Sequence, residues 1–554
     1  MRQIDTFILY TCLIFLVSGC FSEKDPLLPA EKSISATDLG IHIEVLSSDE
    51  FEGRKPFTPG EKKTTAYIRQ EFERIGLEPG NNGSYFQEVP MVEIKAEISE
   101  IMEINTGETE LGLKRLEDYT AFTRRISEEI NIDDVELVFA GFGIVAPEYN
   151  WNDYEDLDVT DKIVLVMVND PGYGTKNKDL FKGHEMTYYG RWTYKYEEAA
   201  RQGARGILII HQTGPAGYPW AVVRNGAEGS KLYLQPDDGY ENRCELEGWI
   251  TLEAADELFR STGVDCEETM KLAVKPGFKG FPMNATVTVS IHNHFRYDVS
   301  NNVMGLIRGT ARADEVVIYT AHWDHLGIGR AIDGDSIYNG ATDNASAVSW
   351  MLEIAEAFSK LPEKSSRSLL FLAVTAEEQG LLGSAYYVTH PLFPVTKTVA
   401  NINTDAFLFL GKFRDVTITG YGQSQLDDIV KHLAQKQDRY ILPDPNPENG
   451  MYFRSDHFEF ARAGIPSIFA KGYSDQVDNG KEWTANEISN YWENVYHKPA
   501  DEYDRERDNL DGLVEDAKLF FRLGYELANS DLYPEWKTGS EFKQIRDKSM
   551  KVKN

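Results

Sequence analysis

The second half of the chain repeats one pattern: an apolar run of strand length, a short polar cluster, then an amphipathic stretch or a glycine turn. EVVIYTAHWDH (315–325), RSLLFLAVTAEE (367–378) and TVANINTDAF (398–407) carry such runs and read as strands buried on both faces. Between the first two lies NASAVSWMLEIAEAF (344–358), where Val348, Leu352, Ala355 and Phe358 recur at helical spacing. Strands alternating with helices predict an α/β fold, with a mixed, largely parallel central sheet flanked by helices. Near the start, KKTTAYIRQEFERIGLEPG places Ala66, Ile68, Phe72 and Ile75 on a helical repeat, with Gly76 and Gly80 to stop it. From about residue 95 the texture changes to short strands such as ELVFAGFGIVAP and DKIVLVMVND, and to a helix–glycine–strand pattern in YEEAARQGARGILIIH. This predicts an α+β domain inserted into the α/β body: residues 36–120 and 291–535 form the two parts of the body, 121–290 the insert, and 536–554 a tail. The basic end KQIRDKSMKVKN reads as frayed.

Length and composition narrow the picture. At 554 residues, 42% of them hydrophobic, the chain exceeds one ordinary core and can fill more than one. A formal net charge of −32 argues against a broad electrostatic grip on nucleic acid or an anionic membrane face, and nucleic acid is not an expected partner. The opening MRQIDTFILYTCLIFLVSGC reads as an export signal over residues 1–19: one Arg, an apolar stretch too short to span a bilayer, and small residues before a cysteine. Val17-Ser18-Gly19-Cys20 resembles the bacterial lipobox. That resemblance implies an exported lipoprotein, held to a membrane only by lipid on Cys20 and a tether over 20–35, on the periplasmic or cell-surface face of the outer membrane; an ordinary signal peptide with an incidental cysteine is the alternative. Cys244 and Cys266 would be the remaining thiols, and export permits a disulfide between them without establishing one. Without CxxC pairs, a cysteine-bound zinc site is not expected.

In open α/β sheets ligands bind beyond the carboxyl ends of the strands, so the residues just after each apolar run matter most. VVIYTA ends in His322-Trp323-Asp324-His325, LLFLAVTA in Glu377-Glu378, and TVANINT in Asp405; Asp343 comes from the helix-opening loop NGATDNAS and His497 from the late loop YHKPADEYD. Each has a plainer reading: Asp343 as a helix cap, Glu377-Glu378 as a solvated turn, His497 as a surface histidine, Asp324 as a turn residue. Projected together at one rim, however, the carboxylates and imidazoles would repel one another or demand burial unless cations neutralised them. Oxygen and nitrogen ligands suit zinc, manganese or cobalt. A carboxylate shared by two ions holds them about 3.5–4 Å apart, the spacing used to activate a water and polarise a carbonyl.

The ordered set HWD, TDNAS, AEEQGLLGS, NTD and YHKPADEYD resembles the M28 family of co-catalytic zinc peptidases, as do LSSDEFEGRKPFTPGEKKTTAYI and RSDHFEFARAGIPSIF. The likeness spans roughly residues 36–120 and 291–530. It implies a zinc-exopeptidase-like fold and two zinc ions, His322 and Asp405 on one, Glu378 and His497 on the other, and Asp343 between them. Glu377 would be the general base, kept off the metal so that it can collect a proton from the attacking water and pass it to the leaving amine. Asp324 would accept the ring N–H of His322, and the Asp343–Asn344 peptide would be cis. The middle segment resembles a protease-associated domain; its Gly141-Phe142-Gly143 mimics a dinucleotide fingerprint, but Pro147 stands where that fingerprint needs a helix. There is no GxSxG elbow, and HEMTY has Tyr188 where an HExxH motif needs its second histidine. The expected activity is removal of N-terminal residues from peptides or proteins. Alternatives are a carboxypeptidase of the same fold, with Arg454 as a candidate for the substrate carboxylate, or a non-catalytic binding protein.

Overall fold

The computed structural model describes residues 25–551. The expected export signal, Cys20 and the first part of the tether lie outside the described residues. The rest of the tether is folded: Ala30 and Ile34 are buried in the main core, and Arg522 binds Asp25 at 2.7 Å and Glu31 at 3.0 Å. Two apolar residues that the polar composition of 20–35 obscured make it a docked segment. Among the described residues no helix is long and apolar enough to cross a membrane.

The predicted early helix is α1 (Pro59–Ile75), with Ile68 and Phe72 fully buried and left-handed Gly76 ending it. Strand β1 (Phe86–Ile98) runs antiparallel to β2 (Phe281–Ile307), a strand of 27 residues. The main domain continues through β3 (Arg312–His322), α2 (Ser346–Ser359), β4 (Arg367–Val374) and β5 (Thr398–Asn403). It closes with β6 (Asp415–Thr419), β7 (Tyr440–Pro443), β8 (Ser467–Lys471), α3 (Asp511–Asn529) and α4 (Lys543–Lys551). The sheet is mixed: β4, β3, β5 and β8 are mutually parallel in that spatial order, while β2 pairs antiparallel with β4 and β6 antiparallel with β8. Every residue of β4 and β5 is buried, as expected for central parallel strands covered on both faces. The chain leaves β3 for its neighbour β4 and then returns to the other side of β3 as β5. This reversal opens a crevice beyond the carboxyl ends of these strands.

The insert has its own core, built on parallel strands Ile163–Met167, Gly206–His211 and Leu246–Thr251. Its boundary differs from the expected residue 121. Met102, Ile104, Leu111, Leu113 and Tyr119 pack in the insert's core, and the Tyr119–Phe122 strand pairs with Leu246–Thr251. The first segment of the main domain therefore ends along β1, and β2 joins the two units by pairing with Glu129–Phe139 at one end and with β4 at the other. The tail is not frayed. Arg546 on α4 donates to the carbonyls of Val395 at 2.8 Å and Thr398 at 2.9 Å, and the Trp536 indole donates to Gly464 at 2.9 Å. Cys244 and Cys266 are buried free thiols.

Candidate metal centre

The crevice gathers the predicted side chains. His322 ends β3, Glu377 and Glu378 follow β4, Asp405 follows β5, Asp343 lies in the loop that opens α2, and His497 comes from the late loop. The Asp343 carboxylate faces two ways: one oxygen is 3.3 Å from His322 Nε2 and the other 3.4 Å from His497 Nε2. His322 Nε2 is also 3.3 Å from Asp405, and His497 Nε2 is 3.1 Å from Glu378. Glu377 stands slightly back, 3.9 Å from His322 Nε2. Two ligands about 2.1 Å from an ion at tetrahedral angles are about 3.4 Å apart, so these spacings fit metal donors. His497 Nε2 is buried without a hydrogen-bond partner although two carboxylates flank it, as a ligand atom awaiting an ion would be.

The turns that present these groups are specialised. Ala376, Ala406 and His497 take left-handed φ of 53°, 48° and 55°, so three of the turns that carry the cluster bend sharply. The Asp343–Asn344 peptide is cis. Gly340, at φ 58°, leaves no room for a side chain: a Cβ there would meet the Asp343 carbonyl at 2.2 Å and the His325 ring at 2.6 Å.

Supporting contacts correct one expectation and add four residues that the motif comparison did not single out. Asp324 was expected to accept the His322 ring N–H through its carboxylate. Instead His322 Nδ1 lies 3.1 Å from the Asp324 backbone carbonyl, with the nearer carboxylate oxygen at 3.8 Å. The carboxylate is occupied by the backbone N–H groups of Glu377 at 3.0 Å and Glu378 at 3.4 Å. Asp501 does the same for the Asp343 loop, accepting from the N–H groups of Thr342 and Asp343 at 2.9 and 3.0 Å. Fully buried Arg54 donates to the carbonyls of Leu46, Trp323, Asn339 and Gly340 at 2.5–2.9 Å, tying the N-terminal segment to the loops that carry His322 and Asp343. His325 Nδ1 is 2.7 Å from Glu378 Oε1. Lys471, at the end of β8, donates to the carbonyls of Asp405 and Ala406 at 2.5 and 2.6 Å. Arg54, Asp501 and His325 all sit inside the quoted motifs LSSDEFEGR, YHKPADEYD and HWDH; their side chains bond to backbone or to a single partner, which spacing alone does not reveal.

The electrostatics follow from this packing. Burial alone would raise the Asp343 carboxyl, but the two imidazoles beside it hold it well below the usual range. Glu378 is held down to about 2, burial being outweighed by His497 and His325. Glu377 moves the other way: burial raises it well above its ordinary value, and the Asp405 and Glu378 carboxylates add to the effect. Adjacent carboxyls with opposite shifts are the environment from which distinct acid–base roles arise.

Two triads offer ligand atoms within 4.8 Å of one another, His322 with Glu377 and Asp405, and His325 with Asp343 and Glu378. Purely by distance, then, Glu377 competes with Asp343, and His325 with His497. Asp343 is the nearer neighbour of His322 Nε2, at 3.3 Å against 3.9 Å. His325 already spends Nδ1 on Glu378, whereas His497 Nε2 faces both Asp343 and Glu378.

Residues 302–520 match the model of Peptidase family M28, and every carboxylate and imidazole of the cluster falls within that segment. The chain is 32% identical over 163 residues to "Aminopeptidase NAALADL1" of Mus musculus, covering 28% of this chain and 20% of that protein. It is 26% identical over 209 residues to "Glutamate carboxypeptidase 2 homolog" of Caenorhabditis briggsae, 35% of this chain and 24% of that protein. The chain therefore matches only a fraction of the length of these curated relatives. The solved aminopeptidase from Aneurinibacillus sp. strain AM-1 aligns over 92% of this chain and 97% of its own, with 19% identity and a TM-score of 0.49.

Proposed function

We propose that the protein is a zinc-dependent exopeptidase holding two metal ions and acting as an aminopeptidase on peptides or proteins. The observation that carries this reading is the Asp343 carboxylate set between His322 and His497 at 3.3 and 3.4 Å. His322, Asp343 and Asp405 would hold one ion; Asp343, Glu378 and His497 would hold the other. When bound, the pair would lower the pKa of a water and polarise the scissile carbonyl.

The chain's own residues supply the rest. Glu377, 3.9 Å from His322 Nε2 and so outside the inner spacing of the cluster, takes the proton from the attacking water and delivers it to the leaving amine. Asp324 fixes the direction of Glu377 and Glu378 through their backbone N–H groups, and Asp501 and Arg54 fix the Asp343 loop. The insert reaches the rim of the crevice: Leu232 N–H is 3.4 Å from Gln379 Oε1, directly after the Glu377-Glu378 pair.

Glu377→Gln tests the assignment: turnover of aminoacyl-anilides falls by about a thousandfold or more while zinc content stays near that of the wild type. Unaltered turnover removes Glu377 from this role. A carboxypeptidase of the same fold is the second reading, supported by the unpaired Arg454 guanidinium. Peptides blocked at the amino or the carboxyl end separate the two.

A further inference from the structure

The long strand β2, which joins the insert to the main domain, carries two histidines on its solvent face. His292 and His294 are two residues apart and share one side of the sheet, while Asn293 between them is buried on the other. Their ring centres are 4.9 Å apart, with the planes at 84°. A strand pairs with β2 on each side at this point: His292 stands opposite Glu97 of β1 and opposite Glu129, the first residue of the Glu129–Phe139 strand. Glu97, His292 and Glu129 thus make one row across three strands, where side chains on a common face meet, and His294 stands beside that row.

The polar atoms already gather. His294 Nε2 is 3.4 Å from Glu97, and His292 Nδ1 is 3.9 Å from Glu129. Two donors on one tetrahedral zinc are about 3.4 Å apart, so the first pair stands at ligand spacing and the second close to it. The backbone beneath is fixed: Asn293 donates its N–H to the Glu128 carbonyl and its side-chain amide to the Ser127 carbonyl, both at 2.8 Å, and Ser127 Oγ donates to the Glu129 carbonyl at 2.8 Å. Unlike the crevice triads, no three of these donors lie within 4.8 Å of one another, so an ion has to draw in the exposed side chains, at a cost in rotamer freedom. Lys95, opposite His294, is exposed on a flexible stem, and Arg296 is held by Glu93 at 3.6 Å and Asp298 at 3.3 Å.

We propose that Glu97, Glu129, His292 and His294 form a divalent-metal site on the sheet surface, which takes zinc or another first-row ion and clamps the three strands where the insert joins β1 and β2. Two imidazoles and two carboxylates supply nitrogen and oxygen donors, and their two negative charges balance the ion. The patch is separate from the crevice: β2 meets the end of β4 at Val303, roughly 35 Å of strand beyond His292 at about 3.3 Å per residue. The proposal therefore does not rest on the peptidase reading.

The test titrates zinc chloride into protein that has been zinc-loaded and desalted, with the binding followed by calorimetry. Desalting leaves the crevice filled and empties the exposed site. The wild type then takes one further ion per chain with a dissociation constant in the micromolar range, and the double variant His292→Asn, His294→Asn weakens that binding by at least about tenfold. Glu97→Gln with Glu129→Gln also weakens it. The difference of one ion between wild type and histidine variant is read whatever the crevice holds, and turnover of aminoacyl-anilides stays at the wild-type level in both double variants. Saturating zinc raises the Tm of the zinc-loaded wild type and leaves that of the histidine variant unmoved. A wild type that takes no further ion, equal uptake in wild type and histidine variant, or an equal rise in Tm overturns the proposal.

Discussion

Asp324 accepts the backbone N–H of Glu377 at 3.0 Å through one carboxylate oxygen and, through the other, the N–H of Glu378 at 3.4 Å. One buried carboxylate thus sets the direction of two neighbouring ones that have opposite electrostatic shifts. Asp324→Ala leaves two N–H groups without their acceptor and should cost about 1–3 kcal/mol of stability. It should also lower kcat more than it raises KM, because the proposed base is misdirected while the rest of the crevice is untouched. Urea unfolding and steady-state kinetics on one preparation measure both.

Arg54 makes its four bonds to carbonyls on three separate stretches of chain, so it acts as a buried clip. Arg54→Met removes all four of these bonds inside the fold and should destabilise it by about 3 kcal/mol or more. Arg54→Lys should recover little, because one ammonium cannot reproduce the planar fork. Slow zinc loss on dialysis, faster in both variants than in the wild type, is the expected second sign.

The sequence made the parallel strands and the cluster at their ends legible because both follow from strong local patterns: unbroken apolar runs, and charged residues immediately after them. What it hid has physical reasons. Ala30 and Ile34 are two apolar residues in a polar segment, too few for a pattern, yet both are buried. The insert begins near β1 and not at residue 121 because the Ile101–Asn105 and Glu110–Lys114 strands show the same two-residue alternation whichever core they face. Asp324 lay within the right motif, but only the fold shows that its oxygens meet the next strand's backbone and not the His322 ring.

Glu353 on α2 supplies a pH test. Burial, then the Asp38 carboxylate, pushes its carboxyl up to about 7. A folded pKa above the unfolded one means that the folded state holds the extra proton, so stability falls as pH rises from about 4.5 to 7. Glu353→Gln removes that loss: the variant should exceed the wild type by about 1–3 kcal/mol at pH 8, with the gap closing below about pH 4.5. Thermal melts across this range measure it.

Arg546 fastens α4 to the start of β5, the strand that delivers Asp405. Deleting residues 541–554 exposes the face that Phe542 covers and removes both bonds, and should lower stability by about 2–4 kcal/mol. Chemical denaturation of the truncated chain against the full chain shows the difference.

The central claim is that Asp343 joins two ion sites, and elemental analysis of the purified protein after zinc loading and desalting tests it most directly. The account gives two zinc ions per chain for the wild type and for Glu377→Gln, and about one for His497→Ala, which leaves His322, Asp343 and Asp405 in place. A wild-type chain that holds one zinc or none under these conditions contradicts it.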